Sequence, residues 1–230
     1  MIKLNHINFS YSNHTVFEDF NLNFEANKIH VIMGHSGCGK TTLLHLLASL
    51  LKPQHGTIEG IDNKHVSYIF QEPRLLPWRT VFENIKLSLN HLDKEAEKTQ
   101  LANEIIQKVG LSRFASYYPN QLSGGMQQRV SMARAFAFPS QLILLDEPFQ
   151  NLDIKLKDEM IALFQCLWEF EKRTVVCVTH DIDEAIMLAH SIYLFPTLAF
   201  QNKTTYYTVN KDDASSNAIL KQNINKQLRM

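Results

Sequence analysis

The chain has 230 residues, 45% of them apolar, enough for one folded domain with its own core, and this excludes a disordered or low-complexity protein. Its 23 basic and 23 acidic residues cancel, so no net field favours nucleic acid or an anionic membrane surface as the main partner. Three cysteines without metal-ligand spacing and ten histidines without H-x-x-x-H or C-x-x-C partners suit free thiols in a reducing compartment, not a disulfide framework or a metal centre.

From the N-terminus, Ile2 to Phe9 alternates apolar and polar residues, which predicts a half-buried strand. Val16 to Phe24 alternates less regularly up to the Asn27-Lys28 turn, and together the two runs predict an antiparallel β layer. The next run, Ile29-His-Val-Ile-Met33, is apolar but for His30 and leads into Gly34-His-Ser-Gly-Cys-Gly-Lys-Thr41, a match to G-x-x-x-x-G-K-[ST]. A helix-like segment from Thr41 to Ala48 follows, and strand, loop and helix in that order are the context this phosphate-binding loop requires. In such a loop Gly34, Gly37 and Gly39 let the backbone wrap phosphates, Lys40 meets the outer phosphates and Thr41 ligates Mg²⁺. Cys38, beside Lys40 and a helix N-terminus, is expected to have a lowered thiol pKa and to be alkylated, with ATP protecting it.

A strand over His65 to Phe70 ends at Gln71, and from about Val81 to Phe138 the texture turns helical. Asp93 is expected to cap a helix carrying Leu101, Ile105 and Val109, with Gly110 as its stop. A second helix is predicted from Ser123 to just before Pro139. It opens on Leu122-Ser-Gly-Gly-Met-Gln-Gln-Arg129, where Ser123 at the N-cap, with Gly124 and Gly125 exposing backbone N–H groups, makes a second anion site. Leu142 to Leu145 and Thr174 to Val178 are again continuously apolar or β-branched, as expected of parallel strands buried on both faces. The first delivers Asp146, suited to Mg²⁺ through water, and Glu147, placed to polarise an attacking water. The second delivers His180. The longest apolar stretches fall far short of the ~20 residues that cross a bilayer, and Met1-Ile-Lys-Leu-Asn lacks a signal-peptide pattern, so a cytoplasmic protein is expected.

With both phosphate-binding segments in place, the sequence resembles the ATP-binding subunits of ABC transporters, whose signature segment reads Leu-Ser-Gly-Gly followed by Gln. The resemblance implies an α/β fold, a RecA-like P-loop ATPase core with an N-terminal antiparallel β layer and an inserted α-helical signature subdomain. The core is expected over 1–85 and 139–200, the helical subdomain over 86–138, and a polar tail over 201–230 with residues 210–216 as a loop. It also implies ATP and Mg²⁺ as cofactors, with Gly34, His35, Ser36, Gly37, Cys38, Gly39, Lys40, Thr41 and Thr42 around the phosphates. Tyr11 is implied to stack on adenine, Gln71 to sense the metal and the attacking water, and His180 to contact the γ-phosphate. Ser123, Gly124, Gly125 and Gln127 are implied to complete the nucleotide site of a neighbouring subunit, and Asp153 to communicate between two sites. Gln150 and Asn151 depart from the pattern, standing where small residues are usual, and this places the coupling between sites in question.

Gln71-Glu-Pro-Arg-Leu-Leu-Pro-Trp78-Arg-Thr-Val-Phe-Glu-Asn84 further resembles the ATPases serving nitrate, sulfonate, taurine and thiamine-precursor pyrimidine importers. That resemblance implies separate membrane permease subunits as partners, docked on an apolar groove of Leu75, Leu76 and Trp78. It also implies a second ATPase subunit, most economically a homodimer, and indirectly an extracytoplasmic solute-binding protein, with the chain peripheral on the cytoplasmic face of the membrane. The competing readings are an ABC-type clamp acting on nucleic acid or the ribosome, and a regulatory subunit that binds ATP without turnover. Charge balance and the absence of heptads weigh against the first; Lys40, Asp146, Glu147 and His180 together weigh against the second.

Overall fold

The computed structural model describes residues 1–12, 14–62, 65–150, 152–195, 204–210 and 213–228. In chain order its elements are β1 (Ile2–Tyr11), β2 (His14–Phe24), β3 (Ile29–Met33), α1 (Lys40–Leu47), β4 (His55–Glu59), β5 (Val66–Ile69), α2 (Val81–Leu87), α3 (Glu95–Lys108), α4 (Gly124–Ala137), β6 (Leu142–Asp146), α5 (Ile154–Phe170), β7 (Thr174–Val178), α6 (Ile182–Leu188), β8 (Ser191–Leu194), β9 (Thr205–Thr208) and α7 (Ala214–Leu228). β1 lies between β2 and β4 in an antiparallel layer. The second sheet has the order β5-β6-β7-β3-β8-β9 and is parallel except for β9.

The continuously apolar strands are explained by what covers each face. Because successive side chains point to opposite sides of a sheet, Val31, Met33, Ile143, Leu145, Val175 and Cys177 pack with the helices on one side. The intervening Ile32, Leu144, Val176 and Val178 pack on the other, against α1 and against Leu4, Phe17 and Phe24 of the antiparallel layer. Neither face meets water, so neither can be polar. The sheet order then fixes where chemistry collects. β6, β7 and β3 are neighbours, and the loops that leave their C-terminal ends open on one edge of the sheet.

Two boundaries differ from expectation. Asp93 does not cap α3: the helix begins at Glu95 behind Lys94, whose extended backbone occupies the N-cap without a side-chain bond. The polar tail contains ordered elements, since β9 extends the sheet beside β8 and α7 packs on α6, burying Leu220 and Ile224. Within the expected 210–216 loop, Ser215 and Ser216 donate backbone N–H groups to Asp213, which starts α7. Helices α2, α3 and α4 fill the block between β5 and β6, and Thr80 with Glu83 forms a capping box at the start of α2.

Candidate functional site

At the end of β3 the chain turns sharply into α1. Gly39, the N-cap of α1, has φ +95°, and a Cβ there would stand 2.7 Å from Val16 Cγ1. The loop is therefore pressed on the antiparallel layer at a point where only glycine fits, and its backbone forms a cradle for phosphate. Lys40 is buried, and its Nζ donates to the carbonyl oxygens of Gly34 (2.9 Å) and His35 (2.8 Å), spanning the loop. Next to it the Thr41 hydroxyl donates to Asp146 Oδ1 at 3.3 Å.

Asp146 is held from its other side by Tyr68, whose hydroxyl donates to Oδ2 at 3.1 Å. Burial pushes the Tyr68 phenol far above its usual range and the Asp146 charge adds to this, so the donor stays protonated. Tyr68 was not legible as a site residue, because its neighbour Asp146 lies 78 positions away. Glu147 follows with φ +48°, an uncommon conformation for a residue with a side chain, and its N–H donates to Val178 O at 3.0 Å. Its Oε2 lies 3.2 Å from His180 Nδ1. A carboxylate and an imidazole beside an anion cradle can together orient a water and take its proton.

One cleft of about 670 Å³ is lined by Tyr11, Gly34, Ser36, Gly37, Gly39, Lys40, Thr41, Thr42, Glu147 and His180 among others; Asp146, Tyr68 and Gln71 are not in its lining, and Asp146 meets it through Thr41. Tyr11 stands half-exposed, edge-on to Phe9, with Thr42 Oγ1 3.5 Å from its hydroxyl. Gln150 also lines the cleft and accepts a hydrogen bond from Gln71, so the residue that departs from the usual pattern touches the one expected to sense water. Asn151 lies outside the described residues.

Several expected site residues are not brought to the cleft. Cys38 is 3% exposed and packs in the core beneath the antiparallel layer; burial pushes its thiol up and outweighs the opposing effect of Lys40. The expectation of a lowered pKa and ready alkylation is thus corrected. The flank that sequence reasoning treated as electropositive loop is, for this side chain, apolar interior. His35 contributes its carbonyl to Lys40 and not a side chain to the lining. Gln127, expected at the nucleotide of a neighbouring subunit, donates within this chain to Pro119 O (2.9 Å) and Leu122 O (3.4 Å), and so shapes the turn before Ser123. Ser123 caps α4 through Met126 N, and Asp153 caps α5 through Leu156 N. With Gly124 and Gly125, these two lie outside the cleft lining.

Among the described residues no group of three His, Cys, Asp or Glu could hold a metal on its own. The Thr41 hydroxyl and the Asp146 carboxylate, paired at the loop, instead offer a few hard oxygens. That donor set fits Mg²⁺, which binds proteins through one or two such ligands and takes the rest from phosphate and water.

Residues 17–150 match the family described as ABC transporter. The chain is 40% identical over 201 residues to the taurine import ATP-binding protein TauB of Escherichia coli O6:K15:H31, covering 84% of this chain and 79% of that one. Among solved structures it is similar to the ATP-binding cassette MJ0796, dimeric in a post-hydrolysis state bound to ADP and Pi. The TM-score is 0.76 and the identity 30%, over 91% of this chain and 99% of that one. The cbiO1 protein of Clostridium perfringens, part of the transporter complex cbiONQ, shares the fold with a TM-score of 0.82 at 22% identity, over 97% of this chain and 94% of that one.

Proposed function

Because this chain belongs to the ABC transporter family and is an ATPase that uses ATP and Mg²⁺, we propose that it powers import of a small solute through separate permease subunits. The observation that carries this reading is the 40% identity, sustained over 84% of the chain, with a taurine import ATP-binding protein. Taurine and chemically related sulfonates are the first solutes to test, followed by nitrate and thiamine-precursor pyrimidines. In this reading the chain lies on the cytoplasmic face of the membrane, and a solute-binding protein outside the membrane delivers cargo to the permease. Among the described residues no helix is long and apolar enough to cross a membrane, which is consistent with a pathway formed by other subunits.

In the proposed cycle Tyr11 stacks on adenine, and Lys40 leaves the carbonyls of Gly34 and His35 for the outer phosphates, where the loop N–H groups also point. Thr41, Asp146 and Gln71 would hold Mg²⁺, which would neutralise phosphate charge. Glu147 takes a proton from the attacking water as the water's oxygen bonds to the γ-phosphorus, His180 keeps Glu147 oriented, and the bond from the γ-phosphorus to the bridging oxygen breaks to leave ADP and phosphate. Ser123, Gly124 and Gly125 of a second copy close over the same nucleotide, and Asp153 lies at that seam. Two-fold symmetry then makes two shared sites per pair.

The permease contact has its own local support. Asn84, fully buried in α2, accepts from Leu76 N and donates to the carbonyls of Leu76, Arg79 and Thr80, holding the 76–80 loop closed. That loop presents Trp78, 70% exposed, whereas Leu75 is partly buried against the helical core. The docking surface is therefore centred on Trp78 rather than shared equally with Leu75. Trp78→Ala is expected to lower solute uptake in vesicles about tenfold with ATP affinity unchanged, the truncation cost of an interface anchor. Wild-type uptake by this variant would remove Trp78 from the contact.

The reading as a whole is tested by affinity purification from membranes of the host in mild detergent, with identification of what remains after a salt wash. A polytopic membrane protein is expected; recovery of ribosomal or other nucleic-acid-bound proteins alone would overturn it.

A further inference from the structure

Tyr68 lies outside the lining of the nucleotide cleft, yet it holds the carboxylate on which the proposed metal site depends. In the parallel pairing of β5 with β6 it stands opposite Leu144, and Asp146, two residues further along β6, shares Leu144's face of the sheet. The phenol therefore extends along the strand direction by two residues' rise, about 7 Å, to meet Asp146. Its hydroxyl donates to Oδ2 at 3.1 Å, while the Thr41 hydroxyl donates to Oδ1 at 3.3 Å. Each carboxylate oxygen thus has one fixed partner.

The ring itself is held in place. Phe70 stacks on it with centroids 4.1 Å apart and planes 19° from parallel, and His45 of α1 stands 6.2 Å away. Behind Phe70 the Arg74 guanidinium lies 3.8 Å from the ring centre, and Arg74 O accepts from Arg134 of α4 at 3.0 Å. A phenol locked in this way fixes the rotation of the carboxylate it bonds. Without the hydroxyl, Oδ2 has no other donor among the described residues, and the carboxylate turns freely about its last side-chain bond.

We propose that Tyr68 is a positioning residue for Mg²⁺, holding Oδ2 of Asp146 so that Oδ1 is presented to the metal beside the Thr41 hydroxyl. It acts through Asp146 and adds no ligand of its own. Partners that orient a metal-binding carboxylate set the affinity of the site, and losing one costs about 10–100-fold. The inference rests on the reading of Thr41 and Asp146 as ligands of the metal.

The test is equilibrium binding of fluorescently labelled AMP-PNP to the full chain, once in EDTA and once in excess Mg²⁺, at a single pH. The ratio of the two dissociation constants is the factor by which metal tightens nucleotide. By linkage it is also the factor by which the chain tightens metal on that nucleotide. Tyr68→Phe removes only the hydroxyl, and it is expected to lower the ratio about tenfold with the affinity in EDTA within about twofold of wild type. Tyr193→Phe is the control, because it deletes a comparable bond, from the Tyr193 hydroxyl to Asn23 O at 2.9 Å, outside the cleft lining. Its ratio is expected to equal that of wild type. An unchanged ratio in Tyr68→Phe, an equal fall in Tyr193→Phe, or a loss of affinity in EDTA as large as that in Mg²⁺ would overturn this inference and leave the metal reading standing. A wild-type ratio near one would overturn both.

Discussion

Replacing Glu147 with glutamine is expected to lower ATP turnover by about 10²-fold or more, leave nucleotide affinity unchanged, and hold two copies together for as long as ATP is bound. Glutamine keeps the size of the side chain and can still meet His180 Nδ1, now 3.2 Å from the carboxylate, but it cannot accept a proton from water. The backbone at this position is fixed independently of the side chain, by φ +48° and by the bond from its N–H to Val178 O. The substitution therefore isolates proton transfer from geometry. Phosphate release and size-exclusion chromatography in the presence of MgATP read the two effects separately. Turnover above about a tenth of wild type would show that another group is the base.

The second large effect concerns stability. Arg173, 5% exposed, donates to the carbonyls of Ala135, Phe136 and Phe138 and to Ser140 Oγ, and it is paired with Glu171 at 2.5 Å. The last carbonyls of α4 have no intrahelical partner, and this guanidinium satisfies them while tying the helix to the start of β7. Arg173→Ala leaves Phe136 O without a partner, while Ala135 O keeps Ser67 Oγ and Phe138 O keeps Ser140 N, and a cost of about 1–3 kcal/mol is expected, a sizeable part of a domain's stability. For a chain of this size that is a fall in Tm of roughly 2–12 °C. Arg173→Lys, which keeps the charge and loses the planar fork, is expected to lie between. A shift under about 2 °C for the alanine variant, followed by circular dichroism, would contradict the assignment. Because Ser123 caps the other end of α4, the same arginine anchors the far end of the helix that, in the proposed pair, faces a second nucleotide site.

The frame and the chemistry-bearing ends of its strands were legible because both are written in short contiguous signals. Strands buried on two faces read as apolar runs, as at Leu142 to Leu145, and a phosphate cradle needs glycine where no Cβ fits, as at Gly39. What the sequence did not disclose depends on contacts between distant positions. Tyr68 meets Asp146 and Arg173 meets the end of α4; neither contact has a local pattern. Cys38 was misread for the same reason, since its neighbours in sequence suggested an activated thiol and its neighbours in space are core side chains. α7 escaped notice because few of its residues, Leu220 and Ile224 among them, are buried, too few to give a polar helix a visible stripe. Gln150 was visible as a departure, but only the fold shows that it bonds to Gln71.

The central claim, that each nucleotide is hydrolysed in a site shared by two copies, is tested most directly by mixing two inactive variants. Lys40→Ala removes the loop's cation. Gly124→Asp adds a carboxylate where a Cβ meets nothing within 4 Å, so the helix tolerates it while a phosphate is repelled. In a mixed pair one site carries both defects and the other carries neither. If the site is shared, a 1:1 mixture assembled with permease recovers up to about a quarter of the wild-type rate of phosphate release from two parents that are each inactive. A mixture no more active than its parents would contradict the shared site.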